Sequence, residues 1–420
     1  MPSLSARLIP RRVDLGDLAP SEVADRLRHL PGLVFFDSAQ ETAANQISIV
    51  AAAPSEIIEG EWKRDQGRLR EAMQRRAVSS GADDGLPHGF AAGCIEYDGR
   101  FSFGLYEQAL CYRHAEGAWM EIGGLSEQLL PSPAAAPVSA EAPHFLPQMT
   151  RDEFCAMVAR AQEYIAAGDI YQANLSHRFT AEWTGDAFAF YRALRDYSPA
   201  PYACYLNLGE RQILSTSPEL FLKMSGRQMQ TRPIKGTRPR RADLHADEKS
   251  AYDLLTSPKE ISELVMITDL ERSDLGRVCE TGSVSVRELL ALERYEQVFH
   301  LVSTVEGRLR AELDHVAALD ACFPGGSITG APKKRAREII AELEPIPRGL
   351  YTGTMGWLGF NGESRFNIAI RTVVIEPGQA HFHVGAGIVA DSVPAMEWQE
   401  TLDKAAGILL AAERMGGAEG

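Results

Sequence analysis

A turn dipeptide between two long β-type runs limits the fold of this chain more than any other feature. Asn361-Gly362 separates the run 354–360 from the run 364–375, and a third such run follows at 381–389. Asn-Gly is the preferred centre of a type I′ turn, which joins two antiparallel strands directly. This part of the chain therefore predicts an antiparallel meander, in which Ser364 to Ile375 form one continuous strand.

Helical patterns lie apart from these strands. Thr150 and Glu153 form a capping-box pattern, and apolar residues follow at helical spacing until Gly168. A second helix is predicted from about Pro394 to Arg414. Hairpin strands with separate helices indicate an α+β fold rather than a parallel βαβ array. We expect two antiparallel sheets packed face to face as a sandwich, with flanking helices outside.

One shift in composition suggests how the chain is divided. Residues 131–148 are rich in Pro and Ala and have no periodicity, which is typical of a linker or a surface crossing. A length of 420 residues allows two large interlocked domains. The predicted domains are residues 1–148 and residues 149–420, with the candidate chemistry in the second.

Charge and cysteine content exclude several classes of protein. A net charge of −14 argues against a general nucleic-acid binder and against docking on anionic membranes. The six cysteines show no CxxC spacing, which suits a reducing cytosol. Neither a signal peptide nor a run of about 18 apolar residues is present, so we expect a cytoplasmic protein that spans no membrane.

Lys235 is the first candidate for chemistry. It lies between Ile234 and Gly236, and several arginines are close to it in sequence: Arg232, Arg238, Arg240 and Arg241. Neighbouring cations and partial burial favour the free amine, which is a nucleophile or base. A hairpin would bring Glu219, sixteen residues earlier, next to it as an acid. A solvated basic loop and an exposed glutamate are the alternatives.

Two Glu-x-x-Glu pairs are candidate metal ligands. Glu260 and Glu263 share one face of a predicted helix, and Glu397 and Glu400 share a face of another. Four carboxylates suit Mg²⁺, which takes oxygen ligands. The alternative is structural, because Ser257 and Glu260 also form a capping box and acidic residues favour helix N-termini.

The segment 324–334 is a glycine-rich loop that enters a helix, so its N–H groups either bind an anion or form a simple tight turn. In the predicted strand 364–375, Arg371 falls on the same face as Asn367 and suits a carboxylate clamp. His300 is interpreted as a core histidine, and His381 and His383 as surface residues.

Taken together, these segments resemble the chorismate-utilising family, which includes anthranilate synthase component I, isochorismate synthase and aminodeoxychorismate synthase component I. The resemblance covers nearly all of residues 150–410. Its motifs are SPE (217–219), PIKGT (233–237), KEISELVMITDLERSDLGRV (259–278), HLVSTVEG (300–307), PGGSITGAPK (324–333), YTGTMGWLGF (351–360), IAIRT (368–372) and GAGIVADSVPAMEWQET (385–401).

The resemblance implies a role for each matched position. Lys235 is implied as the nucleophile and Glu219 as the general acid/base, while Glu260, Glu263, Glu397 and Glu400 are implied as ligands of Mg²⁺. The implied substrate-binding residues are Thr237, His300, Thr329, Gly330, Tyr351, Arg371, Gly385, Gly387 and Lys404. The implied substrates are chorismate and ammonia, and the implied partner is a separate glutamine amidotransferase subunit that supplies the ammonia.

Two positions distinguish branches of the family. Aminodeoxychorismate synthases look like PIKGT at 233–237, as this chain does, whereas anthranilate synthases look like PIAGT. Gln172 lies where isochorismate synthases carry a water-activating lysine. Three alternative functions stay open: an anthranilate or isochorismate synthase, a regulatory subunit that binds a small acid, and a metal-binding scaffold. Phe35-Phe36-Asp37 departs from the Leu-Leu-Glu of the tryptophan-binding form, and Ser273 replaces a usual Asn.

Overall fold

A computed structural model describes residues 8–40, 46–78, 85–132, 142–295 and 298–415. These residues contain nine α-helices: α1 (Pro20–Arg26), α2 (Trp62–Arg76), α3 (Arg151–Ala166), α4 (Ala187–Tyr197), α5 (Leu244–Leu255), α6 (Pro258–Gly276), α7 (His315–Cys322), α8 (Lys333–Leu343) and α9 (Pro394–Met415). None of these helices is long and apolar enough to cross a membrane.

The same residues contain twenty-two strands. In chain order they are β1 (Arg11–Val13), β2 (Val34–Asp37), β3 (Ile47–Ala51), β4 (Glu56–Glu61), β5 (Phe90–Ile95), β6 (Arg100–Tyr106), β7 (Ala109–Arg113), β8 (Ala118–Ile122), β9 (Leu146–Pro147), β10 (Gln172–Glu182), β11 (Tyr202–Asn207), β12 (Gln212–Ser217), β13 (Leu220–Ser225), β14 (Gln228–Arg232), β15 (Ile234–Pro239), β16 (Ser285–Arg294), β17 (Val298–Arg308), β18 (Gly330–Ala331), β19 (Thr354–Gly359), β20 (Glu363–Ile368), β21 (Thr372–Glu376) and β22 (Gln379–Ile388).

The strands form two antiparallel sheets. The twelve-stranded sheet has the order β1-β8-β7-β3-β2-β11-β12-β21-β22-β10-β18, with β9 also paired to β10. The ten-stranded sheet has the order β15-β17-β14-β13-β20-β19-β5-β6-β4, with β16 also paired to β17. The predicted α+β fold with two antiparallel sheets is therefore confirmed.

Each sheet contains strands from both ends of the chain. In the twelve-stranded sheet β2 pairs with β11, and in the ten-stranded sheet β5 pairs with β19. Strands from either side of residue 148 therefore pair in both sheets. The division of the chain at that residue stays a prediction. Of the Pro/Ala-rich segment, residues 133–141 lie outside the described residues.

The main core lies between the sheets. Its buried side chains come from the twelve-stranded sheet, such as Ile49 and Leu206, and from the ten-stranded sheet, such as Phe103 and Phe366. Phe103 and Phe366 meet edge to face with ring centroids 6.3 Å apart. A second core lies between the outer face of the twelve-stranded sheet and helices that include α4 and α9. The helices therefore flank a sandwich, as predicted.

The predicted continuous strand from Ser364 to Ile375 is wrong. The chain leaves the ten-stranded sheet after β20 and enters the twelve-stranded sheet at β21. Between them Arg371 has φ +49°, and its carbonyl accepts from the Thr216 N–H at 3.0 Å. Because the strand is broken there, Asn367 and Arg371 do not share one face. The break instead puts Arg371 where the chain passes between the sheets.

Local turn and cap signals were more reliable. The hairpin is confirmed, since Leu358 pairs with Ser364, but the type I′ turn is not, because Gly362 has φ +82° whereas Asn361 does not have a positive φ. The capping box is also confirmed: the Glu153 N–H donates to the Thr150 hydroxyl at 3.3 Å, and the Thr150 N–H donates to the Glu153 carboxylate at 2.7 Å.

The capping box gives a stability prediction. Thr150→Ala removes the acceptor for a helix N-terminal N–H, so the free energy of unfolding is expected to fall by about 0.5–2 kcal/mol in a urea titration. Thr150→Ser keeps the hydroxyl and is the control. An equal loss in both variants would show that the cap is not the cause.

Candidate active site

A strand irregularity places Lys235 against helix α6. Strand β15 carries Lys235, and its pairing with β17 shifts between Lys235 and Thr237. Gly236 between them has φ +73°, and a Cβ there would lie 2.6 Å from Leu254 Cδ1 and 3.0 Å from Glu260 Oε2. Only glycine combines this backbone conformation with so close an approach. The half-buried Lys235 Nζ lies 3.5 Å from Glu263 Oε2.

Glu219 is held between the sheets, next to the amine. It follows the last residue of β12 after a single proline, and its carbonyl accepts from the Ile368 N–H at 3.1 Å. The carboxylate accepts from Ser327 and from the Ile234 N–H, near Lys235. Burial raises the pKa of Glu219 to about 7, although these contacts oppose the shift. A carboxyl group with this pKa both donates and accepts a proton near neutral pH.

The arginines near Lys235 in sequence do not provide the cationic surroundings that the sequence predicted. Each of three has a carboxylate partner of its own, because neighbouring strands and helices α5 and α6 supply acidic side chains. The pairs are Arg232 with Glu293, Arg238 with Glu260 at 3.5 Å, and Arg240 with Asp247 at 3.0 Å. The charged groups beside the amine include carboxylates instead: Glu263 lies 3.5 Å away, and the charge of Lys235 acts on Glu219.

Two helix starts carry the four predicted metal ligands around one lysine, Lys259. Ser257 caps α6, where Glu260 and Glu263 lie one turn apart, and α9 carries Glu397 and Glu400. Lys259 Nζ lies 3.6 Å from Glu397 Oε1. Burial alone would lower the pKa of Lys259, but the negative charges of all four glutamates outweigh it and raise that pKa. One lysine ammonium therefore lies in the field of all four carboxylates.

These residues fit a divalent cation by their chemistry. Among the described residues, no three His, Cys, Asp or Glu side chains are already arranged to hold a metal ion. However, Glu263 Oε1 and Glu397 Oε2 are buried without a hydrogen-bond donor from any part of the chain that the structure describes. A buried carboxylate oxygen is costly without a partner, and Mg²⁺ prefers such oxygens. Binding of the cation would require the Lys259 ammonium to move away, since that ammonium interacts with the same four carboxylates.

Glycines on β22 form one wall of the site. A Cβ on Gly387 would lie 2.5 Å from Gln172 Nε2 and 3.5 Å from Lys235 Nζ. A Cβ on Gly385 would lie 2.7 Å from the Tyr351 hydroxyl. The backbone of β22 therefore borders the amine directly, which leaves its polar groups close to any molecule bound there.

Two cationic groups belong to this region, Lys404 at the wall and Arg371 near His300. Lys404 Nζ donates to the Gly385 carbonyl at 2.9 Å and lies 2.7 Å from Glu400 Oε1. Burial lowers the pKa of Arg371, and no carboxylate in the described ranges forms an ion pair with it. A half-buried guanidinium of this kind is suited to an anionic ligand.

Thr237 and His300 form a pair on neighbouring strands. Thr237 Oγ1 lies 3.0 Å from His300 Nδ1. Burial, helped by the charge of Arg371, lowers the pKa of His300 to about 4, so the ring is neutral near pH 7.

The expectation that His383 is a surface residue is wrong, because it is buried and stacks on Tyr351 with centroids 5.4 Å apart.

Thr329 and Gly330 shape the loop next to the site. Thr329 is buried, and its hydroxyl donates to the Gly325 carbonyl at 3.0 Å. A Cβ on Gly330 would lie 2.1 Å from the Gln172 carbonyl, so glycine permits the pairing of β18 with β10. Their contact with a substrate stays a prediction.

Sequence reasoning missed several groups. Lys259 lies inside one of the family motifs without an implied role, and Ser327 lies in the glycine-rich loop. Sequence reasoning also missed Asn174, whose Nδ2 has no hydrogen-bond partner among the described residues; the same is true of both amide atoms of the fully buried Gln172, a position that the sequence did single out. The alternation of β10 was the available signal for Asn174, two residues after Gln172.

A separate small pocket lies between the sheets. It is lined by side chains that include Phe36, Asp37, Tyr202 and Trp357. None of its lining residues contacts the Lys235 amine or belongs to the four glutamates, so the pocket is distinct from the candidate active site.

Comparison with known proteins gives one consistent result. A family model described as chorismate binding enzyme matches residues 37–410. The chain is 47% identical over 261 residues to aminodeoxychorismate synthase component 1 of Bacillus subtilis (strain 168), which covers 62% of this chain and 56% of that protein. It is 46% identical over 270 residues to anthranilate synthase component 1 of Pseudomonas putida, which covers 64% and 55%. The chain thus spans about half the length of the curated relatives it matches.

Solved structures agree on the fold. The crystal structure of anthranilate synthase component I from Streptococcus pneumoniae TIGR4 matches with a TM-score of 0.77 and 31% identity, over 88% of this chain and 93% of that chain. The menaquinone-specific isochorismate synthase MenF from Escherichia coli has a TM-score of 0.77 at 20% identity, which is a likeness of fold alone.

The pKa of Glu219 leads to a pH-dependent stability prediction. Its native pKa of about 7 lies above the ordinary value of 4.5, so the native state retains this proton between those pH values. The stability contributed by this group is full below about pH 4.5 and is lost as pH rises through about 7. Glu219→Gln should therefore gain stability relative to the wild type, by roughly 2 kcal/mol, between pH 5 and pH 8 in urea titrations. A difference that does not change with pH would contradict this.

The glutamate cluster leads to a binding prediction. Glu263→Gln and Glu397→Gln each replace a buried carboxylate by an uncharged amide. The affinity for Mg²⁺ should therefore fall about tenfold or more, measured by isothermal titration calorimetry without chorismate. Glu163→Gln, on the exposed side of α3, is the control and should bind like the wild type. Equal affinity in all the variants would place the ion elsewhere.

Proposed function

Since the chain belongs to the chorismate binding enzyme family, we propose that it converts chorismate and ammonia to 4-amino-4-deoxychorismate. The observation that carries the proposal is the position of Lys235. Its amine borders the Gly387 wall and the carboxylate of Glu219, a group that exchanges its proton near neutral pH. A nucleophile beside an acid is what displacement of a ring hydroxyl requires.

The proposed reaction has two displacements. The Lys235 amine attacks ring carbon 2 and forms a C–N bond, both conjugated ring double bonds shift towards carbon 4, and the 4-hydroxyl leaves as water with a proton from Glu219. Ammonia then bonds to carbon 4, both double bonds shift back, and Lys235 is released from carbon 2. The ammonia nitrogen loses a proton, which Glu219 recovers. Covalent catalysis of this kind divides one difficult step into two.

The least favourable part of this reaction is the departure of the 4-hydroxyl, because hydroxide is a poor leaving group. Glu219 assists it as a general acid. Glu219 is a buried residue, 6% exposed, and its carboxylate is held by Ser327 and the Ile234 N–H. Protonation by a positioned acid typically contributes about 10² to 10⁴ in rate. The raised pKa supports this role, because part of the population is protonated at neutral pH.

The dicarboxylate substrate needs cationic and backbone donors. Arg371 and Lys404 supply positive charge, and the backbone at Gly387 supplies close polar contact. The glutamates of α6 and α9 are proposed to hold Mg²⁺, which when bound neutralises a carboxylate of the substrate.

Ammonia is favoured over water as the second nucleophile by Gln172. An amide is not a base, so Gln172 does not activate water as a lysine does. Its amide nitrogen and oxygen, which have no partner among the described residues, are fully buried beside the Gly387 wall and are able to hydrogen-bond a small polar nucleophile. This supports a synthase that adds ammonia over an isochorismate synthase.

The partner is proposed to be a separate glutamine amidotransferase subunit. The relatives of this chain are named component 1, and one of them is an aminodeoxychorismate synthase. The partner would release ammonia from glutamine. The product would then serve the synthesis of 4-aminobenzoate and folate.

Anthranilate synthase is the second candidate, because the relatives carrying the two names are about equally similar to this chain, at 47% and 46% identity. The two activities differ in the fate of the 4-hydroxyl and of the side chain. Lys235 favours the first candidate, since anthranilate synthases look like PIAGT where this chain has PIKGT.

Product analysis decides between them. Incubation with chorismate, Mg²⁺ and an ammonium salt is expected to give 4-amino-4-deoxychorismate by mass spectrometry, and Lys235→Ala is expected to lower its rate at least tenfold. Lys249→Ala, which changes an exposed lysine on α5, is the matched control and should keep full activity.

Other products would contradict the proposal in distinct ways. Fluorescent anthranilate would identify the second candidate, and isochorismate formed without ammonia would identify a water-using synthase. A protein that binds chorismate but forms none of these products would be a regulatory subunit.

A further inference from the structure

The acidic face of α6 does not end at the proposed metal ligands. Glu271 and Asp274 lie two and three turns further along the helix, at a spacing that keeps them on the same face as Glu260 and Glu263. Both are buried, with 3% and 5% of their surface exposed. The reaction proposed above gives them no role.

Glu271 contacts two segments at once. The Gly326 N–H donates to its Oε1 at 3.0 Å, and the Thr231 hydroxyl donates to its Oε2 at 3.4 Å. Gly326 directly precedes Ser327 in the glycine-rich loop, and Thr231 precedes Ile234 by three residues at the end of β14. Both of the groups that hydrogen-bond to the Glu219 carboxylate therefore belong to segments that Glu271 holds.

Asp274 holds the other end of the loop through Lys333. The Lys333 ammonium pairs with Asp274 and also donates to the carbonyls of Pro324 at 2.7 Å and Cys322 at 3.2 Å. The loop is therefore held on both sides of Gly325, by an N–H at Gly326 and by carbonyls before it. Gly326 fits tightly there, since a Cβ would lie 2.6 Å from Leu270 Cδ2 and 3.1 Å from Glu271 Oε1.

We propose that Glu271 is a positioning residue, which fixes Ser327 and the Ile234 N–H so that both hydrogen-bond to the Glu219 carboxylate during catalysis. Without it the buried Gly326 N–H has no acceptor, and the loop relaxes away from Glu219. A small displacement of a catalytic group is enough for a loss of about 10²-fold in rate. This inference rests on the proposed role of Glu219 in the reaction with chorismate.

A double-mutant cycle tests this link, with the rate of chorismate consumption at saturating ammonium salt as the readout. Glu271→Ala and Ser327→Ala are each expected to lower kcat about tenfold or more, with the KM for chorismate within about threefold of the wild type. The double variant is expected to lose no more than about threefold beyond either single variant, because both changes break the same connection.

The conservative variant separates positioning from general stability. Glu271→Gln keeps an acceptor for the Gly326 N–H, so it should recover most of the activity that Glu271→Ala loses. Should Glu271→Ala not fold, Glu271→Met fills the same volume and takes its place. Additive losses in the cycle, or equal damage by Gln and Ala, would overturn the inference.

The same experiment distinguishes this inference from the proposed function. Consumption of chorismate is measured whichever product forms, so the cycle still tests the link to Glu219 if the product is not 4-amino-4-deoxychorismate. In that case the product identity refutes the proposed function, and the cycle alone decides the role of Glu271.

Discussion

The close approach of helix α6 to strand β15 at Gly236 is the contact on which the rest of the site depends. A side chain at this position would collide with Leu254 and Glu260, and its φ of +73° favours glycine. Because the helix packs so closely, its first turns place Glu260 and Glu263 beside Lys235, while its later turns place Glu271 under the glycine-rich loop. One helix thus connects the amine, the proposed metal ligands and the loop that borders Glu219.

Charge in this site is arranged as cations among carboxylates. Lys235 lies near Glu263, Lys404 near Glu400, and Lys259 in the field of all four glutamates. Burial alone would raise the pKa of Glu400, but the lysines outweigh it and that pKa is lowered. Without such partners the four carboxylates, of which Glu263 and Glu397 are buried, would repel one another. A divalent cation at the glutamates would replace part of this lysine charge, and in that state Glu263 would no longer be available to the Lys235 amine.

Local sequence signals predicted the elements that depend on neighbouring residues. The capping box at Thr150, the hairpin at Asn361-Gly362 and the helix from Pro394 are set by hydrogen bonds between residues close together in the chain. The break at Arg371 was not predictable in this way, because the apolar alternation of 364–375 is the same whether the residues lie in one sheet or in two. It depends on long-range pairing with β12.

The same limit applied to the site, where the family motifs named the residues but not their partners in space. Arginines next to Lys235 in the chain pair with Glu293, Glu260 and Asp247 instead, and only the contacts of Glu271 with Gly326 and Thr231 reveal its place.

The most direct test of the proposed mechanism is the intact mass of the protein after mixing with chorismate and Mg²⁺ in the absence of ammonia. If Lys235 is the nucleophile beside Glu219, a species heavier than the free protein by chorismate less one water should accumulate, and it should be absent from Lys235→Ala. An adduct that persists in the variant, or a wild type that turns over chorismate without any adduct while its Lys235 peptide stays unmodified, would contradict this mechanism.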